Sequence, residues 1–106
     1  MEIAGVGRDA LWLLPCDAAG RIRTDALRRA VARDRQAGAT PFPVVGTAGS
    51  VDTGAVDDLA ELAAFCAAED LWFHVDAAFG ASALLAPRLR PLLRSATAPR
   101  IPGWMR

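Results

Sequence analysis

Apolar and polar positions follow two different periods along this chain, and the changes of period mark its elements. Residues 10–15 (ALWLLP) form an apolar run of strand length, closed by Cys16, Asp17, Ala18, Ala19 and Gly20, where Asp and Gly suit a tight reversal. From Thr24, placed as a cap, the spacing turns helical. Leu27, Ala30 and Val31 make an inner stripe, Arg28, Arg29, Arg33 and Arg35 fall on the wet side, and Gly38 is placed to end the helix. Residues 41–47 (PFPVVGT) read as a second strand with Val44 and Val45 at its β-branched centre, followed by a small-residue loop over 48–54. A second helix is predicted over about 56–69, with Val56, Leu59, Ala63 and Cys66 or Ala67 at helical spacing. Asp57 and Asp58 fall in its first turn, where the helix dipole favours anions. Residues 71–75 make the third strand.

Strand, helix, strand, helix, strand with short connections predicts an α/β chain with a partial, right-handed parallel sheet (β-α-β-α-β). All three strands then open at one carboxyl edge, where such sheets hold their ligands. The loop over 47–54 and the segment 76–80 lie side by side if their strands are neighbours. Within the run 71–80 (LWFHVDAAFG), alternation sets His74, Asp76 and Ala78 on one face and Phe73, Val75 and Ala77 on the other. The run is apolar enough to expect a buried strand, so the carboxylate of Asp76 demands a partner. A short helix is expected near 87–93, and 95–106 has no usable periodicity. No internal repeat or linker is evident. A sheet this small covers neither its faces nor its edges, so exposed apolar edge surface, with association of the isolated chain, is expected.

Composition narrows the chemistry. At 106 residues with 53% hydrophobic content the chain is one globular domain or part of one. Its formal charge is zero, which removes any general electrostatic case for nucleic acid or an acidic membrane surface. Charge is unevenly spread, with seven acids and no Lys or Arg over residues 52–76 and a basic tail of Arg88, Arg90, Arg94, Arg100 and Arg106. Such blocks read as solvated faces. All 12 basic residues are arginine, so no lysine exists for a Schiff base or a phosphate-loop motif. Cys16 and Cys66 are too few for a disulfide framework or a zinc site and suit reduced thiols in the cytoplasm. No apolar run approaches the roughly 20 residues that cross a bilayer, and no signal segment opens the chain.

Among candidate motifs, the glycines of residues 5–10 (GVGRDA) fit a dinucleotide fingerprint, but no strand precedes them. Gly46 and Gly49 suit either an anion cradle or a tight turn. His74 has no second ligand at metal spacing. The pattern alone leaves Asp76 as a phosphoacceptor, a metal ligand, a turn cap or an anchor for a cationic ring. A phosphoacceptor domain also needs a later lysine and an early acidic pair, and neither is present.

Taken together, PFPVVGTAGSVDTGAVDDLAELAAFCAAEDLWFHVDAAFGASALLAP (residues 41–87) resembles the middle of the pyridoxal-phosphate-dependent decarboxylases of the glutamate and aromatic amino acid group. Residues 5–9 (GVGRD) and 15–22 (PCDAAGRI) are similar to that family's preceding segment, extending the likeness to about 1–94. HVDA alone is unspecific. Its combination with the GTAG loop upstream, joined by an acid-started helix, is specific.

The resemblance implies that the chain is part of the large domain of a fold-type I enzyme, an amino acid carboxy-lyase using pyridoxal 5'-phosphate. It gives Asp76 the cofactor's pyridine nitrogen as partner, with the carboxylate favouring the protonated ring. Ala78 would pack against the ring, Thr47 and its loop would lie at the ring's edge, and His74 belongs to the same cofactor face. Val51 stands where many relatives carry a hydrogen-bonding threonine, a contact valine does not make. The family's Schiff-base lysine and its phosphate-contacting segment have no counterpart here, and residues 95–106 do not resemble the family. The chain is therefore expected to be an internal fragment, inactive alone, of an enzyme that acts on an amino acid as a homodimer. The alternative is a non-catalytic α/β structural or interaction module derived from the same fold.

Overall fold

The computed structural model describes residues 7–88 together with Gly5 and Pro91. After a 3-10 turn at Arg8–Ala10 the order is α1 (Thr24–Gln36), β1 (Pro43–Thr47), α2 (Leu59–Ala68), β2 (Trp72–Asp76) and a 3-10 helix over Gly80–Leu85. β1 and β2 pair in parallel, in a register that sets Val45 beside His74 and Thr47 beside Asp76.

The partial parallel α/β sheet is thus present, but among the described residues it has two strands, not three. The predicted strand over 10–15 is corrected. Leu11, Trp12 and Leu13 are exposed, and the segment's pairing is confined to an antiparallel bridge between Cys16 and Ile22. An apolar run becomes a strand only where a second edge accepts its N–H and C=O groups. Here the chain reverses first: Asp17 Oδ1 accepts the N–H groups of Ala19 and Arg21, both at 2.9 Å. The Arg21 N–H is the main reason the Asp17 carboxyl is held below its ordinary value. The Asp and Gly reversal is therefore as expected. Trp12 instead lies under the Arg33 guanidinium, 4.4 Å from its ring centroid.

α1 takes Thr24 into its first turn where the sequence predicts it as the cap, one residue earlier than expected, whereas α2 begins later than predicted. The N–H of Arg23 is committed to the Pro15 carbonyl (3.1 Å) and its backbone stays extended, so Arg23 caps α1 and Thr24 is its first helical residue. At the other end Gly38 adopts φ +80, and its N–H and that of Ala39 close on the carbonyls of Arg35 and Asp34, a Schellman termination. α2 starts at Leu59 because Asp58 is its N-cap, accepting the Glu61 N–H at 2.9 Å. Asp57 and Val56 precede the helix; Val56 bridges to Ala48.

Both helices cover one face of the sheet. Leu27 and Val31 of α1 and Leu62, Phe65 and Cys66 of α2 pack on Val44, Leu71 and Phe73, with Leu62 only 1% exposed. A second cluster, Ala48 and Leu59 with Val56, Phe73, Val75 and Ala77, extends this core to the carboxyl edge. Burial pushes the Cys66 thiol up to about 11. Arg35 ties α1 to the end of α2 through the Glu69 carboxylate and its carbonyl. The opposite face has no layer among the described residues: Val45 is 48% exposed, and His74, Asp76, Ala78 and Phe79 are open. Val45 and Phe79 put apolar side chains on this face beside the polar His74 and Asp76. The helix expected near 87–93 falls largely outside the described residues, and the tail 95–106 wholly so; Val6 of the glycine pattern does too.

Candidate functional site

The two strands deliver their polar residues to one place. Side chains directly paired in a parallel ladder share a face, so Val45, Thr47, His74 and Asp76 stand together on the open side, opposite the helices. The alternation read from the sequence is correct. Its companion expectation, that the strand and its carboxylate are buried, is not: His74 and Asp76 are exposed because neither helix reaches this face. Asp76 Oδ1 accepts the Ala78 N–H at 3.1 Å, which caps the turn that follows, and Oδ2 has no partner among the described residues. One oxygen is a turn cap and the other is open to a donor.

The loop after β1 meets the turn after β2, as neighbouring parallel strands require. The Ala48 N–H donates to the Asp76 carbonyl at 2.8 Å. A β-carbon on Gly49, which adopts φ +90, would stand 2.9 Å from the Gly80 Cα, and one on Gly80 would stand 1.8 Å from the Ala48 carbonyl oxygen. Gly80→Ala is therefore expected to force the two segments apart, costing about 1–3 kcal/mol as overpacking does. A lowered urea midpoint is the expected result; an unchanged one would show that the contact yields freely.

Thr47 is half-buried at the end of β1, and Ala78 is exposed two residues beyond Asp76. Val51 occupies the turn over 51–53 and is 77% exposed, three residues past the Ala48 to Asp76 bond. That turn is held by Ser50, whose hydroxyl pairs with Thr53 Oγ1 at 2.7 Å and accepts the Ala55 N–H. The structure thus brings Thr47, His74, Asp76 and Ala78 to one face and sets Val51 on the adjoining loop. No group of three or more His, Cys, Asp or Glu converges on a metal position among the described residues.

One residue carries more of this geometry than the sequence suggested. Asp57 is buried at 6% exposure and takes no ion pair among the described residues. Its two oxygens accept the N–H groups of Ile22 and Thr47, each at 2.7 Å, and its own N–H donates to the Thr47 carbonyl at 2.9 Å. The available signal was the acid doublet: a helix uses one N-cap, so of Asp57 and Asp58 one was left without a role.

A sheet face left open by the described residues, an acceptor oxygen with no donor among them and a small residue beyond it fit a flat ring bearing an N–H at its edge. Comparison with known proteins points the same way. Residues 2–99 match the pyridoxal-dependent decarboxylase conserved domain. The chain is 40% identical over 94 residues to aromatic-L-amino-acid decarboxylase of Cavia porcellus, a match covering 88% of this chain and 20% of that protein. It is 43% identical over 81 residues to histidine decarboxylase of Rattus norvegicus, covering 76% of this chain and 12% of that protein. Among solved structures it is similar to mouse CSAD, with a TM-score of 0.85 at 37% identity over 89% of this chain and 20% of that one. Similarity extends to Catharanthus roseus tryptophan decarboxylase solved with L-tryptophan, with a TM-score of 0.83 at 30% identity over 91% and 21%. The chain spans about a fifth of the length of these relatives, and less of the histidine decarboxylase.

Proposed function

The chain belongs to the pyridoxal-dependent decarboxylase family, and from that premise we propose that it supplies the ring-binding face of an amino acid carboxy-lyase. On this reading residues 1–94 are part of the cofactor-binding large domain, and the family match runs on to residue 99. The observation that carries it is the open Oδ2 of Asp76 on a bare sheet face, with Thr47 as its register partner. Pyridoxal 5'-phosphate, when bound, supplies a protonated ring that accepts electron density from the substrate carbon as carbon dioxide leaves. Asp76 would hold the ring nitrogen through its free carboxylate oxygen, and its negative charge would favour the protonated form of that nitrogen. The Ala78 N–H on Oδ1 holds the carboxylate's orientation while the Ala78 methyl leaves room for the ring. His74 flanks the same face, Thr47 would border the ring, and Val51 adds an apolar side chain to the adjoining loop.

These 106 residues contain no lysine, so the Schiff-base amine comes from outside them. The reading therefore includes a longer enzyme, with an amino acid as substrate and a homodimer as its assembled form. Two free thiols, Cys16 and Cys66, support a reducing cytoplasmic setting, and among the described residues no helix is long and apolar enough to cross a membrane. Release of carbon dioxide from carboxyl-labelled amino acids tests the proposal. The full-length protein is expected to release it only with pyridoxal 5'-phosphate, and the 106 residues alone to release none. Release by the 106 residues alone, or a full-length protein indifferent to the cofactor, would overturn it.

A further inference from the structure

We infer that Asp57 is a positioning residue for the cofactor face, acting through Thr47 to fix the end of β1 against Asp76. Asp57 lies in the core and precedes α2, so it does not stand on the open face itself. What it holds is both peptide groups of Thr47: Oδ2 accepts the Thr47 N–H at 2.7 Å and the Asp57 N–H donates to the Thr47 carbonyl at 2.9 Å. The next residue, Ala48, donates its N–H to the Asp76 carbonyl at 2.8 Å. The path from Asp57 to Asp76 therefore runs through one residue of backbone. The other oxygen, Oδ1, is anchored by Ile22 from a segment 35 residues earlier, so the carboxylate does not swing with the loop it holds.

Two donors from separate segments need two acceptors on one short side chain, which a carboxylate provides and an amide does not. Asparagine keeps the volume and one acceptor but turns an N–H donor toward one of the two backbone N–H groups. The strand end then loses a fixed point while the packing of α1 and α2 on Val44 and Phe73 keeps its side chains. Because backbone hydrogen bonds open locally as well as globally, amide exchange separates the two effects.

The inference rests on the cofactor reading above, and the test keeps the two apart. The full-length protein is compared as wild type, Asp57→Asn and Asp76→Asn, by amide exchange without cofactor and by titration of pyridoxal 5'-phosphate followed by absorbance. In Asp57→Asn, exchange at Thr47 and Ala48 is expected to rise about tenfold more than at Leu62 and Cys66, with cofactor affinity falling about tenfold, the effect of one net hydrogen bond. An equal rise at all four amides assigns Asp57 to general stability and overturns the inference, as does unchanged cofactor affinity. If wild type and Asp76→Asn bind the cofactor alike, the cofactor reading itself fails and the inference falls with it. Should Asp57→Asn not fold, Asp57→Glu, which moves both acceptors by one methylene, gives the same comparison with the same outcomes.

Discussion

Replacing Asp57 by alanine is expected to destabilise the chain by about 2–4 kcal/mol, because two half-buried N–H donors each lose their acceptor, at the lower part of the about 1–3 kcal/mol that an unsatisfied donor costs. The donors are those of Ile22 and Thr47, and neither has another acceptor within its own segment. Against a total stability on the order of 5–15 kcal/mol, such a loss is a large fraction of the whole. Asp58→Ala provides the contrast. It removes one exposed cap bond to the Glu61 N–H, for which about 1 kcal/mol is expected. Urea denaturation of both variants checks the ranking, and a larger loss for Asp58→Ala would contradict the role given to Asp57.

Asp76→Asn is expected to do the opposite, leaving stability near wild type while removing activity. The side chain is exposed, and its amide oxygen still accepts the Ala78 N–H, so the turn keeps its cap. On the proposed reading, the charge that would face the ring nitrogen is lost. A single electrostatic group aimed at developing charge is worth about 10²–10³ in turnover, and that is the expected fall in carbon dioxide release. Unchanged denaturation with a fall of this size separates a chemical role from a structural one. Turnover within a few-fold of wild type would remove Asp76 from the chemistry.

Much of this was legible in the sequence because it followed from local rules. The helical stripe of Leu27 and Val31, the Gly38 stop, the Asp17 reversal and the alternation of residues 73–78 depend on near neighbours in the chain. What escaped depends on partners distant in sequence. The run over 10–15 has strand composition, but strand status is decided by an edge to pair with, and the reversal at Asp17 takes the chain elsewhere. The apolar run around Asp76 predicts that it is buried. Its exposure reflects which face the two helices cover, and that is settled by the packing of Leu62, Phe65 and Cys66 on Val44. Asp57 looked like a dipole-favoured acid in a first turn; its two backbone partners lie 10 and 35 residues away. No helical or strand period reports such a pairing.

The central claim is that the open oxygen of Asp76 receives the N–H of the cofactor's ring. Its most direct test is the nitrogen chemical shift of pyridoxal 5'-phosphate labelled at the ring nitrogen and bound to the full-length protein. The expected shift is that of a protonated pyridine, moving toward the neutral form in Asp76→Asn. A neutral ring in the wild type, or the same shift in both proteins, would contradict the account.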